Sequence, residues 1–251
     1  MSLDLALERR EFKYLVPIEQ LDRIRSSLVG RCRLDAYAGP RGTYRVRSVY
    51  YDRADFSLYQ ANLREQLRRF KVRARTYPES ESAPVFLEVK QRHGDGQRKT
   101  RAAVAREVWY TGSRLATSWV SPSTSAFVDL VDRYDLQPTC LVDYEREAWF
   151  SELDDYARVT FDLDICAADA HGRRLDSPRE GWLPVDHPAQ TRTFDRRAVL
   201  ELKFAGPAPR WMSDLVRRHE LVRYAFSKYG ASMQALYADP LRRNPNSWRT
   251  R

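Results

Sequence analysis

The sequence predicts an α+β fold: an eight-stranded antiparallel β-barrel with flanking helices, as one domain over residues 1–251 with a frayed tail from about 238 to 251. Three observations carry that prediction. About eight short segments alternate with a period of two, the repeat of a β-strand. Several of them set a charged row against an apolar row, which a sandwich with two dry inner faces does not do but a barrel with a wet interior does. Finally, 43% hydrophobic residues supply a core, and there is no internal repeat or low-complexity block to divide the chain.

The elements follow in order. Residues 9–16 (RREFKYLV) form a strand that ends at Pro17, a residue suited to open a helix. Ile18, Leu21, Ile24 and Leu28 give that helix one apolar face. YRVRSVYYD (44–52) is a strand, and a short helix after Asp55 carries Phe56, Tyr59 and Leu63. RFKVRARTY (69–77) and VFLEVKQR (85–92) are the clearest strands, joined by a polar turn. A Gly-rich turn at 93–97 leads to a strand over 99–110, and a helix over 124–135 faces Phe127, Leu130, Val131 and Tyr134 one way. Strands are expected at 141–150, 157–165 and 198–204, the last two joined by a Pro-containing loop. A helix runs from Pro209 to about Leu236.

Composition narrows the function. The 43 Lys and Arg exceed the 34 Asp and Glu by nine, which points to an anionic partner. An aromatic content of 12% argues against a disordered basic tail. Cys32, Cys140 and Cys166 form no CxxC pair and the four histidines stand alone, so a zinc site or disulfide framework is not expected. The N-terminus has no apolar signal region and no stretch is long enough to span a bilayer, so a cytoplasmic location is expected. No helix-turn-helix, zinc finger or RNP-type aromatic pair is present, so nucleic acid is not the expected partner. No membrane-protein partner can be named, and the basic C-terminal helix suits bracing the barrel better than lying on a membrane.

The charged rows are the informative signal. Arg9, Glu11 and Lys13 share a face, as do Arg45 and Arg47, then Lys71, Arg73 and Arg75, then Glu88, Lys90 and Arg92, then Glu201 and Lys203. One such row alone is an ordinary solvated face. Five rows dominated by bases would repel one another inside a lumen, and a polyanion there removes the repulsion. Side chains two apart lie ~6.6 Å from each other, so Arg73 and Arg75 suit neighbouring phosphates. Glu11, Glu88 and Glu201 each sit two residues from a lysine, as ion pairs or as holders of a divalent cation.

These residues resemble the triphosphate tunnel metalloenzymes, and most closely the vacuolar transporter chaperone type of polyphosphate polymerase domain. The matching pieces are EFKYLVP (11–17), SVYYD (48–52), FKVRARTY (70–77), VFLEVK (85–90), DYEREAW (143–149), ARVTFD (157–162), AVLELKF (198–204) and FSKY (226–229), in the family's order. The resemblance implies a tunnel where ATP or another triphosphate gives its terminal phosphoryl group to polyphosphate, with Mn2+ or Mg2+ against the phosphates. It implies phosphate contacts for Lys13, Arg73, Arg75, Lys90, Arg146, Arg158 and Lys228, and a metal role for Glu201. Lys99, Lys203, Glu11 and Glu88 complete the expected binding set, Lys99 sharing its place with Arg98.

Arg9 stands where the hydrolytic relatives carry the first acid of ExExK, which favours the polymerase branch. Asn62 and Ala225 stand where the family has bases, with Arg64, Arg68, Arg69 and Arg223 nearby. The alternatives are a metal-dependent triphosphatase on the same scaffold and a non-catalytic polyphosphate or polyanion binder.

Overall fold

A computed structural model of the chain describes residues 9–80, 82–94, 96–111, 121–154 and 156–237, so the frayed tail expected over 238–251 lies outside the described residues. The strands are β1 (Arg9–Pro17), β2 (Cys32–Leu34), β3 (Tyr44–Asp52), β4 (Arg68–Thr76), β5 (Val85–His93), β6 (Gly96–Val104), β7 (Gln137–Ser151), β8 (Ala157–Asp169), β9 (Leu183–Pro184) and β10 (Arg197–Ala205). Eight of them follow one path, β1-β10-β8-β7-β3-β4-β5-β6, while β2 adds to β7 and β9 to β8. The eight antiparallel strands of the expected barrel are therefore present, on a path that runs from β1 to β6. The helices are α1 (Leu21–Leu28), α2 (Ser57–Leu63), α3 (Arg106–Thr111), α4 (Ser125–Arg133), α5 (Pro188–Thr191), α6 (Arg210–Arg218) and α7 (Lys228–Tyr237). None of the described helices is long and apolar enough to cross a membrane.

The chain divides into two compact units, each with its own core. The first takes the chain through Tyr44 together with Glu145–Asp164 and Asp186–Phe226. Here Tyr14 and Val16 of β1, Leu200, Leu202 and Phe204 of β10, and Val159 and Phe161 of β8 form one apolar face. Leu21, Ile24 and Leu28 of α1, spaced three and four apart, cover that face with Met212 and Leu215 of α6. Removing the Ile24 side chain beyond its Cβ would cost about 2–5 kcal/mol. α1 stops before Gly30, whose φ of 76° lets the chain turn back toward β2.

The second unit takes Arg45–Tyr144, Ile165–Val185 and the chain from Ser227. Val49 and Tyr51 of β3, Val72 and Ala74 of β4, and Val85, Leu87 and Val89 of β5 pack with Phe127 and Val131 of α4, Trp109 and Leu175. In both units the helices take the apolar side of the strands and leave the alternate side to charge.

Two expected elements are corrected. The strand expected over 99–110 stops at Val104, and Arg106–Thr111 is helical. Strand alternation would have put Trp109 on the face of Lys99 and Arg101. The helix turns it instead into the core, where it is fully buried. The single helix expected from Pro209 to Leu236 is two, α6 and α7, because Glu220 takes a left-handed φ of 50° just after α6 and ends it.

Candidate functional site

In the second unit a single buried carboxylate organises a group of bases. Cross-strand register places Arg73 of β4, Glu88 of β5 and Arg101 of β6 side by side, with Lys71, Lys90 and Lys99 as the next row on the same face. Glu88 is 2% exposed. Its Oε2 lies 2.6 Å from Arg73 Nη2 and 3.9 Å from Arg75 Nε, and its Oε1 lies 2.8 Å from Lys99 Nζ and 3.7 Å from Arg101 Nε. Burial would raise the Glu88 carboxyl, but Arg73, Arg75 and Lys99 outweigh it and hold it well below the usual range. Lys99 feels the opposite pressure. Burial and the two arginines push its ammonium down to about 8 despite Glu88.

Tyrosines fix the arginine forks. Arg73 donates to Tyr50 Oη at 2.8 Å, and Arg75 donates to Ser48 Oγ and Tyr144 Oη, each at 3.2 Å. Burial lowers the Arg73 guanidinium, yet Glu88 and Tyr50 raise it well above its ordinary value, so it stays charged. Lys228 opens α7 with its Nζ 4.9 Å from the centre of the Tyr144 ring. Ser227 accepts a hydrogen bond from Gly230 N at 3.1 Å, closing the first turn of that helix. Tyr229 stacks on Tyr50 at 4.8 Å and donates to Asp52, a fully buried carboxylate that also accepts from the backbone N–H groups of Arg53, Leu58 and Tyr59. These contacts seat Lys228. Lys71 donates to Ser227 Oγ at 2.8 Å, while Lys90 stands half-buried in register between Lys71 and Lys99.

The first unit carries a second group. Lys13 faces Glu201, Glu11 faces Lys203, and Lys203 faces Arg158 across β1, β10 and β8. Glu201, 4% exposed, lies 2.6 Å from Lys203, 3.5 Å from Lys13 and 3.6 Å from Arg146. Lys13 also lies 3.2 Å from Glu11 and donates to the carbonyl of Phe226 at 3.1 Å. Arg146 grips the fully buried Asp162 with both arms, at 2.6 and 2.8 Å. The Arg158 guanidinium lies over the rings of Phe150 at 4.3 Å and Tyr156 at 5.3 Å. Burial, together with Arg146, lowers the Lys203 ammonium against the pull of Glu201.

One expected row does not join these groups. Ser48, not Arg47, pairs with Arg75, so Arg45 and Arg47 lie on the opposite face of β3. There they neutralise the fully buried Asp143, at 3.2 and 2.8 Å, with Arg179 at 3.4 Å. The cause is one residue of parity. The even positions of β3 face the charged row of β4, and the sequence puts arginine at the odd ones.

The carboxylates present decide where a divalent cation could sit. Among the described residues no group of three or more His, Cys, Asp and Glu is arranged to hold an ion. The first unit offers the buried Glu201 carboxylate, with Glu11 across the β1–β10 ladder. That donor set fits Mg2+ or Mn2+, which bind through one or two carboxylates and take their remaining oxygens from phosphate and water. In the second unit Glu88 Oε1 is buried and accepts no hydrogen bond, but four bases lie within 4 Å of the carboxylate with no second acid beside it among the described residues, and their positive charge opposes a cation there.

A family model for the VTC domain matches residues 8–237. The chain belongs to the VTC domain family. No curated protein matches it by sequence. Among solved structures it is similar to a candidate adenylate cyclase from Bacillus halodurans, at 14% identity and a TM-score of 0.49 over 86% of this chain and 92% of that one. It is also similar to the PH1819 protein from Pyrococcus horikoshii OT3, at 11% identity and a TM-score of 0.46 over 88% and 96%.

Within this VTC domain the groups also contain residues that sequence reasoning missed. Tyr144 precedes Arg146 by two positions on β7, a period-two signal that would have placed it on the arginine's face. Tyr50 stands opposite Arg73, two residues beyond Ser48. Asp162 gave no such signal, since a lone acid on a strand does not announce which base will take it. Asn62, at a position where a base was expected, donates to the carbonyls of Leu58 and Phe70 and ties α2 to β4.

Proposed function

We propose that this VTC domain is a polyphosphate polymerase, in which ATP or another nucleoside triphosphate gives its terminal phosphoryl group to a polyphosphate chain. The observation that carries the reading is the setting of Glu88: one buried acid against Arg73, Arg75, Lys99 and Arg101, with Lys71, Lys90 and Lys228 on the same strands and helix. Such an excess of bases is disfavoured by burial and mutual repulsion, and a bound polyanion relieves both. Membership of the family supports the same reading.

Phosphoryl transfer asks little covalent help from a protein. A terminal oxygen of the polyphosphate attacks the γ-phosphorus, the bond from that phosphorus to the β,γ-bridging oxygen breaks, and the released charge settles on the β-phosphate of the nucleoside diphosphate. Arg73 and Arg75, pinned by Tyr50, Ser48 and Tyr144, would hold nonbridging oxygens in fixed positions. Lys90, Lys99 and Lys228 would hold neighbouring phosphates in the same unit. In the first unit Lys13, Arg146, Arg158 and Lys203 would contribute further phosphate contacts, and Glu201, with Glu11, would hold Mg2+ or Mn2+. The cation supplies charge neutralisation on the phosphate oxygens when bound.

The test is incubation with ATP and manganese or magnesium, resolving long acid-stable chains, ADP and free phosphate. Chains and ADP in equal phosphoryl count are expected, and Glu201→Gln should lower turnover about 100-fold while tripolyphosphate affinity holds. Free phosphate without chains would make the protein a triphosphatase, and binding without turnover would make it a polyanion-binding module.

A further inference from the structure

We propose that the guanidinium of Arg101, stacked on Phe86 and braced by Tyr77, is the seat of the nucleobase of the bound triphosphate. The inference rests on the phosphate reading of the Glu88 group and extends it from the phosphates to the base. Arg101 Cζ lies 3.7 Å from the centre of the Phe86 ring, a stacking distance. Its Nη2 donates to Tyr77 Oη at 3.4 Å, and the Tyr77 ring meets Phe86 edge-on at 5.9 Å and 77°. The plane of the guanidinium is thus fixed from two sides. Phe86 occupies one of its flat faces, and the side chain remains 39% exposed.

Position selects this stack from the others. Phe86 stands opposite Arg75 and two residues from Glu88 on β5, so the aromatic pair lies one strand step, ~6.6 Å, beyond the acid. Arg101 shares Glu88 with Arg73, Arg75 and Lys99. A nucleoside whose phosphates lie along those bases carries its base just past them. The comparable stack of Arg223 on Phe12, at 3.9 Å, pairs with no acid among the described residues. Arg158 lies over two rings, Phe150 and Tyr156. Every base has a π-face, so a platform of this kind accepts purines and pyrimidines, with purines favoured by area.

The experiment compares ATP, GTP, CTP and UTP with inorganic tripolyphosphate by titration calorimetry. Arg101→Lys keeps the charge and loses the plane, and Phe86→Leu keeps apolar volume and loses the ring. Each should weaken ATP and GTP about tenfold, and UTP and CTP less, while tripolyphosphate changes under twofold. The ultraviolet hypochromism of bound ATP should be lost in Arg101→Lys. Arg158→Lys should act on ATP and tripolyphosphate alike. Equal weakening of ATP and tripolyphosphate by Arg101→Lys would make Arg101 a phosphate contact and overturn the proposal, as would unchanged ATP binding in both variants. If the wild-type protein bound neither ligand, the phosphate reading itself would fall and the base seat with it.

Discussion

The two charged groups start from the same short pattern, a glutamate two residues before a lysine, at Glu88–Lys90 and Glu201–Lys203, and reach different charge balances. Around Glu201, the bases Lys13, Arg146, Arg158 and Lys203 meet the acids Glu11, Asp162 and Glu201 itself. Around Glu88, Arg73, Arg75, Lys99 and Arg101 share one acid, and Lys71 and Lys90 add charge in the next row. A strand pattern decides which face a residue takes, but the neighbouring strands decide whether its charge is answered. The first group is close to neutral without a ligand. The second holds repulsion that a polyanion would release.

The largest expected difference is in stability. Glu88→Gln removes the acid that four bases share and should cost about 3–5 kcal/mol in urea denaturation. Tripolyphosphate should restore most of that loss. Glu201→Gln should cost less than half as much, because Glu11 and Asp162 remain. The Glu88 carboxyl is held below its ordinary 4.5, so its contribution is present above that pH and lost as pH falls beneath it. Wild-type stability should therefore decline below about pH 4.5 more steeply than that of Glu88→Gln. Equal losses in the two glutamine variants would erase the contrast.

A smaller effect separates the groups by ligand. Arg75→Ala should weaken tripolyphosphate about ten- to hundredfold, the worth of one or two charge-assisted contacts. Lys203→Ala, whose charge is already answered by Glu201 at 2.6 Å, should weaken it only a few-fold. Calorimetry on both variants would sharpen or reverse the ranking.

The smallest effect is in pH. Lys99 titrates near 8 in the free protein, and bound phosphate raises that value, so affinity should be level below pH 8 and fall a few-fold above it. Lys99→Arg should flatten the fall, and measuring both proteins against the same tripolyphosphate cancels the ligand's own titration. A parallel decline in the two would show that Lys99 does not carry it.

Much of this was legible in the sequence because period-two alternation of apolar and charged residues survives in β4, β5 and β10. Lys71, Arg73 and Arg75 could be put on one face of β4, and Glu88 and Lys90 on one face of β5, from spacing alone; the register of the two strands then joins the rows. Arg45 and Arg47 could not be told apart from them, since alternation gives two faces without saying which neighbour's face each will match. The end of β6 was missed for a related reason. Trp109 is placed by the core it fills, and no local preference in 104–110 competes with that burial. The role of Asp162 depends on Arg146 from another strand, a tertiary pairing that no window of sequence contains.

The bond from Tyr229 to Asp52 spans 177 residues of chain. As the polypeptide leaves the ribosome, Asp52 and the arginines of β4 emerge long before α7. Until Tyr229 arrives, the Asp52 carboxylate keeps only its backbone donors, and Lys228 has no seat beside Tyr144. Closing so long a loop is slow relative to forming the β4–β5 hairpin. The order of synthesis thus makes α7 the finishing step of the basic group, since neither Lys228 nor the Tyr229–Asp52 bond is present until that helix has been made.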